Sequence, residues 1–275
     1  MRLIFNILAF VFITVCTGFE PAKTHLAEAD DFAISVTYDL EYQPDTTRPN
    51  RKKEGFLLLV NPSHSIFLSE HVYLRDSIIA LINSGKSDKS AQELLSYTRR
   101  LNSDFDFRID KKACNQQTIF DRVYHTIFRY PDLLAELPWR IMPDTMTLSG
   151  VKCQRAELTA FGRRWIGWFS DAIPISDGPF RFCGLPGLLV DVYDGNNQFH
   201  FSMIAISKQP RKYSFADLED VVETKRTDFL RKRKQYRENP IGVAESSGVT
   251  FVQGRSEIAK RATTKINEFN NFIER

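Results

Sequence analysis

The residues best suited to chemistry are two arginines and two tryptophans in one short segment: Arg163, Arg164, Trp165 and Trp168. Guanidinium groups beside indole rings can hold an anion or stack on an aromatic face. On a strand, Trp165 and Trp168 point to opposite faces, so one can fill the core while the other faces outward. We favour a strand whose indoles pack the sheet. The alternative is a patch that faces a ligand or a partner.

Two carboxylates at a spacing of three, Asp191 and Asp194, could be considered for general acid–base catalysis. Such catalysis needs both groups to face one substrate, whereas this spacing on a strand places them on opposite faces. Asp194 is better explained as the first residue of the hairpin turn at 194–197, Asp-Gly-Asn-Asn. The chain also lacks a phosphate-binding glycine-rich loop, a G-x-S-x-G elbow and an H-E-x-x-H pair. We therefore predict no catalytic residue and no cofactor.

The histidines are not arranged as metal ligands. A zinc or copper site would need clustered cysteines and histidines at ligand spacing. His64 and His71 flank an apolar segment, and His125 and His200 lie in strand-like runs. We therefore predict partly buried sheet positions for these histidines, and no metal site.

Residues 178–193, with the sequence GPFRFCGLPGLLVDVY, combine a rigid turn with an apolar strand. Pro186 fixes its own φ and pushes Leu185 toward extended geometry, while Gly184 and Gly187 permit the positive φ of a tight reversal. The apolar run that follows, from Leu188, is typical of a strand buried on both faces. We call residues 178–193 the signature segment and predict a structural turn at 184–187.

The signature segment resembles the signature of the GLPGLI family of Bacteroidota envelope proteins, with Leu189 in place of the final isoleucine. Other landmarks of the family occur upstream in the same order: Trp139-Arg140-Ile141, residues 149–156, Gly162-Arg163, Trp168 and Ile173-Pro174. The resemblance covers roughly residues 120–206. The family has no established activity, so the resemblance implies a location and a fold but no mechanism.

The first 18 residues are predicted to be a secretory signal peptide. Arg2 precedes an apolar run over residues 3–15, which is too short to span a bilayer. We place cleavage after Gly18, and the alternative is lipoprotein processing with acylation at Cys16. Either route exports the chain across the inner membrane to the periplasm. No later stretch reaches the roughly 20 apolar residues of a membrane helix, so we predict no transmembrane span and a membrane tether only if Cys16 is acylated.

The net charge argues against one class of partner, nucleic acid, and the cysteines bear on whether the exported chain forms a disulfide. Without residues 1–18, which contain one of the 37 basic residues, 36 basic minus 34 acidic residues leave a net charge of +2. That balance provides no electrostatic footprint for nucleic acid. Export favours a disulfide, and we prefer Cys153 with Cys183 because both lie in the segment that resembles the family. Three reduced thiols, including Cys114, are the alternative.

The pattern of apolar residues predicts a β-rich body with two helices inserted in it. Residues 34–42 alternate apolar and polar side chains, as a half-buried antiparallel strand does. Asp76 is expected to cap one helix that ends at Gly85, and Asp88 or Ser90 a second. Residues 118–130 read as one strand with two apolar faces. Short strands then continue to residue 206, and residues 215–235 and 256–273 are helical in composition, the first of them rich in Lys and Arg.

We therefore predict a mainly β fold with accessory helices, in the α+β class. The sheet is expected to be antiparallel and strongly curved, or a partly closed barrel, like lipoprotein-carrier folds by analogy. The predicted division is a signal peptide at 1–18, an antiparallel β domain at 32–207 with helices near 76–101, and a helical basic tail at 208–275.

Three functional hypotheses follow. The first is a non-enzymatic envelope protein that binds a hydrophobic ligand, such as a lipid or an acyl chain, on an apolar sheet face. The second is a partner protein of an outer-membrane transport complex, docking through the basic tail or the strand at 163–168. The third is a hydrolase whose site is assembled only in three dimensions.

Overall fold

The computed structural model describes residues 29–134, 136–215, 218, 221–250 and 254–274. The predicted signal peptide, its cleavage site after Gly18 and the acylation site at Cys16 lie outside the described residues. The strands are β1 Asp30–Phe32, β2 Ile34–Tyr42, β3 Lys52–Val60, β4 Ser65–Ser69, β5 Arg108–Ala113, β6 Gln116–Val123, β7 Thr126–Leu133, β8 Arg140–Leu148, β9 Val151–Ala160, β10 Arg163–Ser170, β11 Leu188–Asp194, β12 Phe199–Ser207, β13 Arg211–Tyr213 and β14 Val221–Glu223. The helices are α1 Glu70–Ser84, α2 Ala91–Thr98, α3 Arg226–Glu238, α4 Pro240–Ser246 and α5 Arg255–Asn267.

Twelve of the described strands form one sheet in the order β14-β7-β6-β5-β4-β3-β2-β12-β11-β10-β9-β8. Neighbours are antiparallel, except that β14 pairs with β7 in parallel. Strands β2 to β7 run as one meander, strands β8 to β12 run as a second, and the β2–β12 ladder joins them. The mainly β prediction is confirmed in this coarser form. The sheet is mixed and ends at β8 and β14, so the described strands do not close a barrel.

The sheet is covered on both sides near β3 and β4, because alternate residues of these strands enter two different cores. Phe56, Leu58 and Phe67 lie in the main core. The residues of β3 and β4 that alternate with these point to the other side of the sheet, beneath α1. There they form a second, smaller core, which consists of Phe32, Leu57, Leu59, Ile66, Leu68, Val72 and Tyr213. The continuous apolar runs in β3 and β4 follow from burial on both faces.

Helix α1 begins earlier than the sequence indicates. Ser69 is its N-cap and accepts a hydrogen bond from the backbone N–H of His71. Asp76, the predicted cap, lies inside the helix, where its carboxylate binds Arg108 at 2.6 Å in a buried ion pair. Gly85 ends the helix with a φ of 64°, and Ser90 caps α2.

The region after residue 208 also contributes to the sheet and the main core. Strand β14 joins the twelve-stranded sheet, β13 pairs with β1 in a separate two-stranded sheet, and helices α3 to α5 follow. Phe229 of α3 and Ile273 are buried in the main core beside residues of β2 and β10. The predicted division into a β domain at 32–207 and a tail at 208–275 stays a prediction. None of the helices in the described part of the chain has the length and hydropathy that a membrane-spanning segment needs.

Candidate functional site

Residues 269–274 cross the apolar side of the sheet, and we call them the strap. The ring of Phe269 lies 6.2 Å from that of Tyr42 and 5.7 Å from that of Phe105. Tyr42 also stacks on Phe199 with ring centroids 6.4 Å apart. We call Tyr42, Phe105 and Phe199 the aromatic floor. Since all three rings are buried, the strap and the floor belong to one continuous apolar layer.

Arg163, the first residue of the predicted arginine–tryptophan group, holds the strap by its backbone. Its side chain is only 2% exposed and pairs with Asp194 at 2.9 Å. Its Nη2 donates to the carbonyl of Phe272 at 2.6 Å, and its Nε donates to the carbonyl of Ile273 at 3.1 Å. The same guanidinium lies 4.7 Å over the ring of Phe199. Arg163 thus joins the strap, the hairpin turn and the floor.

A second buried arginine, Arg181 of the signature segment, holds the acidic end of the strap. Its side chain is 3% exposed and contacts the carboxylates of Glu274 at 2.9 Å and Asp132 at 2.7 Å. Arg226, at the start of α3, pairs with the same two carboxylates. Two guanidinium groups therefore face two carboxylates, and the cluster is electrically balanced while Glu274 is present.

Helix α3 covers the other side of the strap. Arg237 donates to the carbonyl of Phe269 at 2.9 Å, and its guanidinium lies 4.6 Å over the ring of Phe272. On the sheet side, the carbonyl of Pro44 accepts hydrogen bonds from the backbone N–H groups of Asn270 and Asn271, both at 3.0 Å. The side chain of Asn271 also donates to the carbonyl of Gln43 at 2.8 Å. The strap is therefore held by side chains and by the loop at 43–46, and it is not part of a strand ladder.

The other members of the predicted arginine–tryptophan group do not lie together. Trp165 is fully buried and packs its ring 4.8 Å from Phe182. Arg164 is exposed on the opposite side of β10 and pairs with Glu157 at 3.0 Å. Trp168 is partly exposed and packs against residues of the main core. A single patch of all four residues is therefore wrong, because strand alternation sends Arg163 and Trp165 into the core.

The outward side of β11 and β12 carries a cluster of Asp191, His200 and Ser202. Nε2 of His200 lies 2.8 Å from the Asp191 carboxylate and 3.1 Å from the Ser202 hydroxyl. A catalytic triad uses one ring nitrogen for the serine and the other for the carboxylate. Here the same nitrogen faces both partners, so this cluster does not have the geometry of a proton relay.

The turn at 184–187 depends on its two glycines for different reasons. Gly184 has a φ of 91°, the left-handed conformation that glycine tolerates. Gly187 does not have a positive φ, so the predicted reason for it is wrong. A Cβ on Gly187 would overlap the carbonyl of Ser170 and lie 2.8 Å from the Cα of Asp171. Close packing against the end of β10 therefore requires glycine at 187. Leu185 is buried and Pro186 is exposed.

The disulfide joins Cys114 to Cys183, with their Cα atoms 5.6 Å apart. The predicted Cys153–Cys183 pair is therefore wrong, and Cys153 is a free, buried thiol. Cys153 lies on β9, where its antiparallel neighbour is Met146. Cys114 lies in the turn between β5 and β6, which contacts the signature segment. No motif around Cys114 indicates this contact, because the turn is distant in sequence.

Beside the disulfide is a cleft of about 300 Å³ whose lining includes His64, Ser65, Lys111 and Asp177. The ammonium group of Lys111 donates to the carboxylate of Asp177 at 2.5 Å and to the carbonyl of Gly178 at 2.8 Å. Ser65 donates to the same carboxylate. Burial lowers the pKa of Lys111, against the opposing effect of Asp177. These contacts fix the signature segment to β4 and β5.

Comparisons with known proteins give a match to a family model and likenesses of fold to solved structures. A family model described as "Protein of unknown function (Porph_ging)" matches residues 139–191, which include the turn at 184–187. Two solved structures of PNGF-II, in the P21 and C2 space groups, match at 11% identity with TM-scores of 0.50 and 0.49. Each match covers 77% of this chain but 34% of PNGF-II, so the chain spans about one third of its length. At this identity the likeness concerns the fold alone. No curated protein matches the chain.

Proposed function

We propose that this chain is an exported, GLPGLI-like protein of the bacterial cell envelope that binds a hydrophobic ligand without catalysing a reaction. The ligand site is the apolar side of the sheet, which would act as a curved platform in the way that lipoprotein-carrier folds do. Export would follow removal of the signal peptide at 1–18, and the protein would work in the periplasm of a Bacteroidota species.

One observation carries the proposal. At the aromatic floor, the strap covers the apolar side of the sheet and has no regular secondary structure. Two buried arginines, Arg163 and Arg181, bind the strap through hydrogen bonds and an ion pair. Ligand sites are mostly apolar surfaces with a few convergent polar groups that fix orientation. The floor supplies the first property, and Arg163 and Arg181 supply the second. A ligand would reach the floor by replacing the covering segment.

The test is photo-crosslinking of the mature full-length chain with a long-chain fatty acid that carries a diazirine on its acyl chain. We expect labelled peptides that contain Tyr42, Phe105 or Phe199, and we expect excess unlabelled oleate to remove the label. Native mass spectrometry in parallel should show one ligand per chain. Labelling confined to exposed apolar residues such as Leu133 and Ile204, which are 78% and 57% exposed, would contradict the proposal.

The outward side of the sheet favours a second candidate, docking of an envelope partner. Arg164 is exposed there, and Trp168, Tyr193 and His200 are partly exposed near it. Trp, Tyr and Arg dominate the energetics of protein interfaces. If this surface binds a partner, Trp168→Ala should abolish its capture from envelope extracts, while Lys234→Ala in the basic helix α3 should not. Capture that survives Trp168→Ala would reject this candidate.

A further inference from the structure

We infer that the strap is a displaceable cover and that the ligand beneath it is an anionic amphiphile. The anionic head replaces the carboxylate of Glu274 between Arg181 and Arg226. The hydrocarbon chain replaces Phe269 on the aromatic floor and Ile273 in the main core. This inference rests on the proposed hydrophobic ligand site and specifies its chemistry and its gating.

The charge of the ligand follows from the cluster around Glu274. Arg181 and Arg226 share Glu274 and Asp132, so removal of Glu274 leaves two guanidinium groups with one carboxylate. Arg181 is almost fully buried, and a buried cation without compensation is strongly unfavourable. A neutral ligand would leave this excess positive charge in place. A carboxylate or phosphate head would neutralise it through charge-assisted hydrogen bonds.

The direction of the ligand follows from exposure. The side chain of Arg226 is 37% exposed, whereas those of Arg181 and Arg163 are 3% and 2% exposed. The head therefore binds where the cluster reaches solvent, and the hydrocarbon chain extends inward. Along its course lie the positions of Ile273, which is 4% exposed, and of the half-buried Phe269.

The strap can leave without breaking the sheet. Residues 269–274 pair with no strand. They are held by arginine side chains, namely those of Arg163, Arg181, Arg226 and Arg237. Asn270 and Asn271 also bond to the loop at 43–46, through the carbonyls of Gln43 and Pro44, the carboxylate of Asp45 and the N–H of Thr46. Because the strap competes with ligand from within the same chain, the apparent affinity equals the intrinsic affinity multiplied by the fraction of molecules whose strap is displaced. Weakening the strap should therefore strengthen ligand binding.

The test compares three full-length proteins: the natural sequence, Glu274→Gln, and the matched control Glu268→Gln, which removes the same charge at an exposed position beside the strap. Binding of oleate and of oleyl alcohol is measured by isothermal titration calorimetry. We expect oleate to bind Glu274→Gln about tenfold more tightly than the natural sequence, since loss of charged hydrogen bonds loosens the strap. Glu268→Gln should stay within about twofold of the natural sequence. Oleyl alcohol should bind each protein at least about tenfold more weakly than oleate does.

Hydrogen exchange on the natural protein gives a second measurement that needs no variant. Saturating oleate should raise deuterium uptake in peptides that contain residues 269–274 and leave peptides from the turn at 184–187 unchanged. The inference is overturned if oleate and the alcohol bind equally, or if oleate binds while uptake in the strap stays unchanged. If no protein binds either molecule, the proposed function itself fails. The two failures are therefore distinguishable.

Discussion

Removal of the Cys114–Cys183 disulfide should strongly lower the free energy of unfolding. The bridge closes a loop with a sequence separation of 69. Loop-closure entropy of about 2.1 + 1.5R ln 69, or roughly 15 cal/mol/K, corresponds to about 4 kcal/mol at 25 °C. Cys183→Ser and Cys114→Ser should each lower the free energy of unfolding by about this amount. Cys153→Ser should cost about 1–2 kcal/mol, because it only buries a hydroxyl in place of a thiol.

The assay is equilibrium unfolding in urea without reductant, with the double variant Cys114→Ser/Cys183→Ser as a control. Because both substitutions remove one bond, the double variant should be about as stable as either single one. Reductant should bring the natural protein to the same level. The reasoning would be refuted if Cys114→Ser were as stable as the natural sequence, or if Cys153→Ser carried the larger cost.

Three further predictions use the same measurement. Gly187→Ala should lower the free energy of unfolding by about 2–3 kcal/mol, since the new Cβ overlaps the backbone at the end of β10. Gly150→Ala, at an open turn with a φ of 77°, should lower it by about 1 kcal/mol. Equal costs would argue against close packing as the reason for glycine at 187. Burial raises the pKa of Asp121 to about 6, so the folded state binds more protons than the unfolded chain between about pH 4 and 6. The free energy of unfolding should fall by up to about 3 kcal/mol as pH rises through this window, and Asp121→Asn should remove that loss; identical pH profiles would reject the assignment. Trp165→Ala should lower the free energy of unfolding by about 3–5 kcal/mol and Trp168→Ala by less than about 1.5 kcal/mol, because the first indole is fully buried and the second is partly exposed. A larger cost for Trp168→Ala would contradict the burial of Trp165 in the core.

The β-rich architecture could be predicted because strand periodicity is a local property. The alternation of residues 34–42 corresponds to β2, and the Gly85 stop corresponds to the end of α1. Residues 118–130 were different. The sequence predicts one strand there, whereas the structure has the hairpin of β6 and β7, with Tyr124 at a φ of 57° in its turn. A two-residue turn without Gly, Pro or Asn keeps the alternation in phase, so the pattern conceals the reversal.

The candidate site could be predicted only in part, because long-range contacts create it. The composition of residues 256–273 predicts helix throughout, but α5 ends at Asn267. Asn270 and Asn271 then bond to Pro44 and Arg163 instead of continuing the helix. Asparagine's preference for such side-chain and backbone hydrogen bonds is a helix-ending signal that was present in the sequence. The partners of those amides lie more than 100 residues away, and no local pattern indicates them.

The disulfide and the buried ion pairs could not be predicted from the sequence either, because their partners are far apart along the chain. Lys111 is buried against Asp177, 66 residues away. Arg181 is held by Asp132 and Glu274, which lie 49 and 93 residues away. Each pair satisfies charges that the fold buries, and the identity of the partner depends on the packed structure.

Methyl NMR of isoleucine-labelled protein tests the ligand site most directly. Ile273 lies in the strap and is buried in the main core, which also contains the aromatic floor, and Ile66 lies in the separate core beneath α1. During titration with oleate, we expect a saturable shift of the Ile273 methyl signal and an unchanged Ile66 signal. An Ile273 signal that stays fixed while native mass spectrometry shows bound oleate would rule out a ligand site beneath the strap.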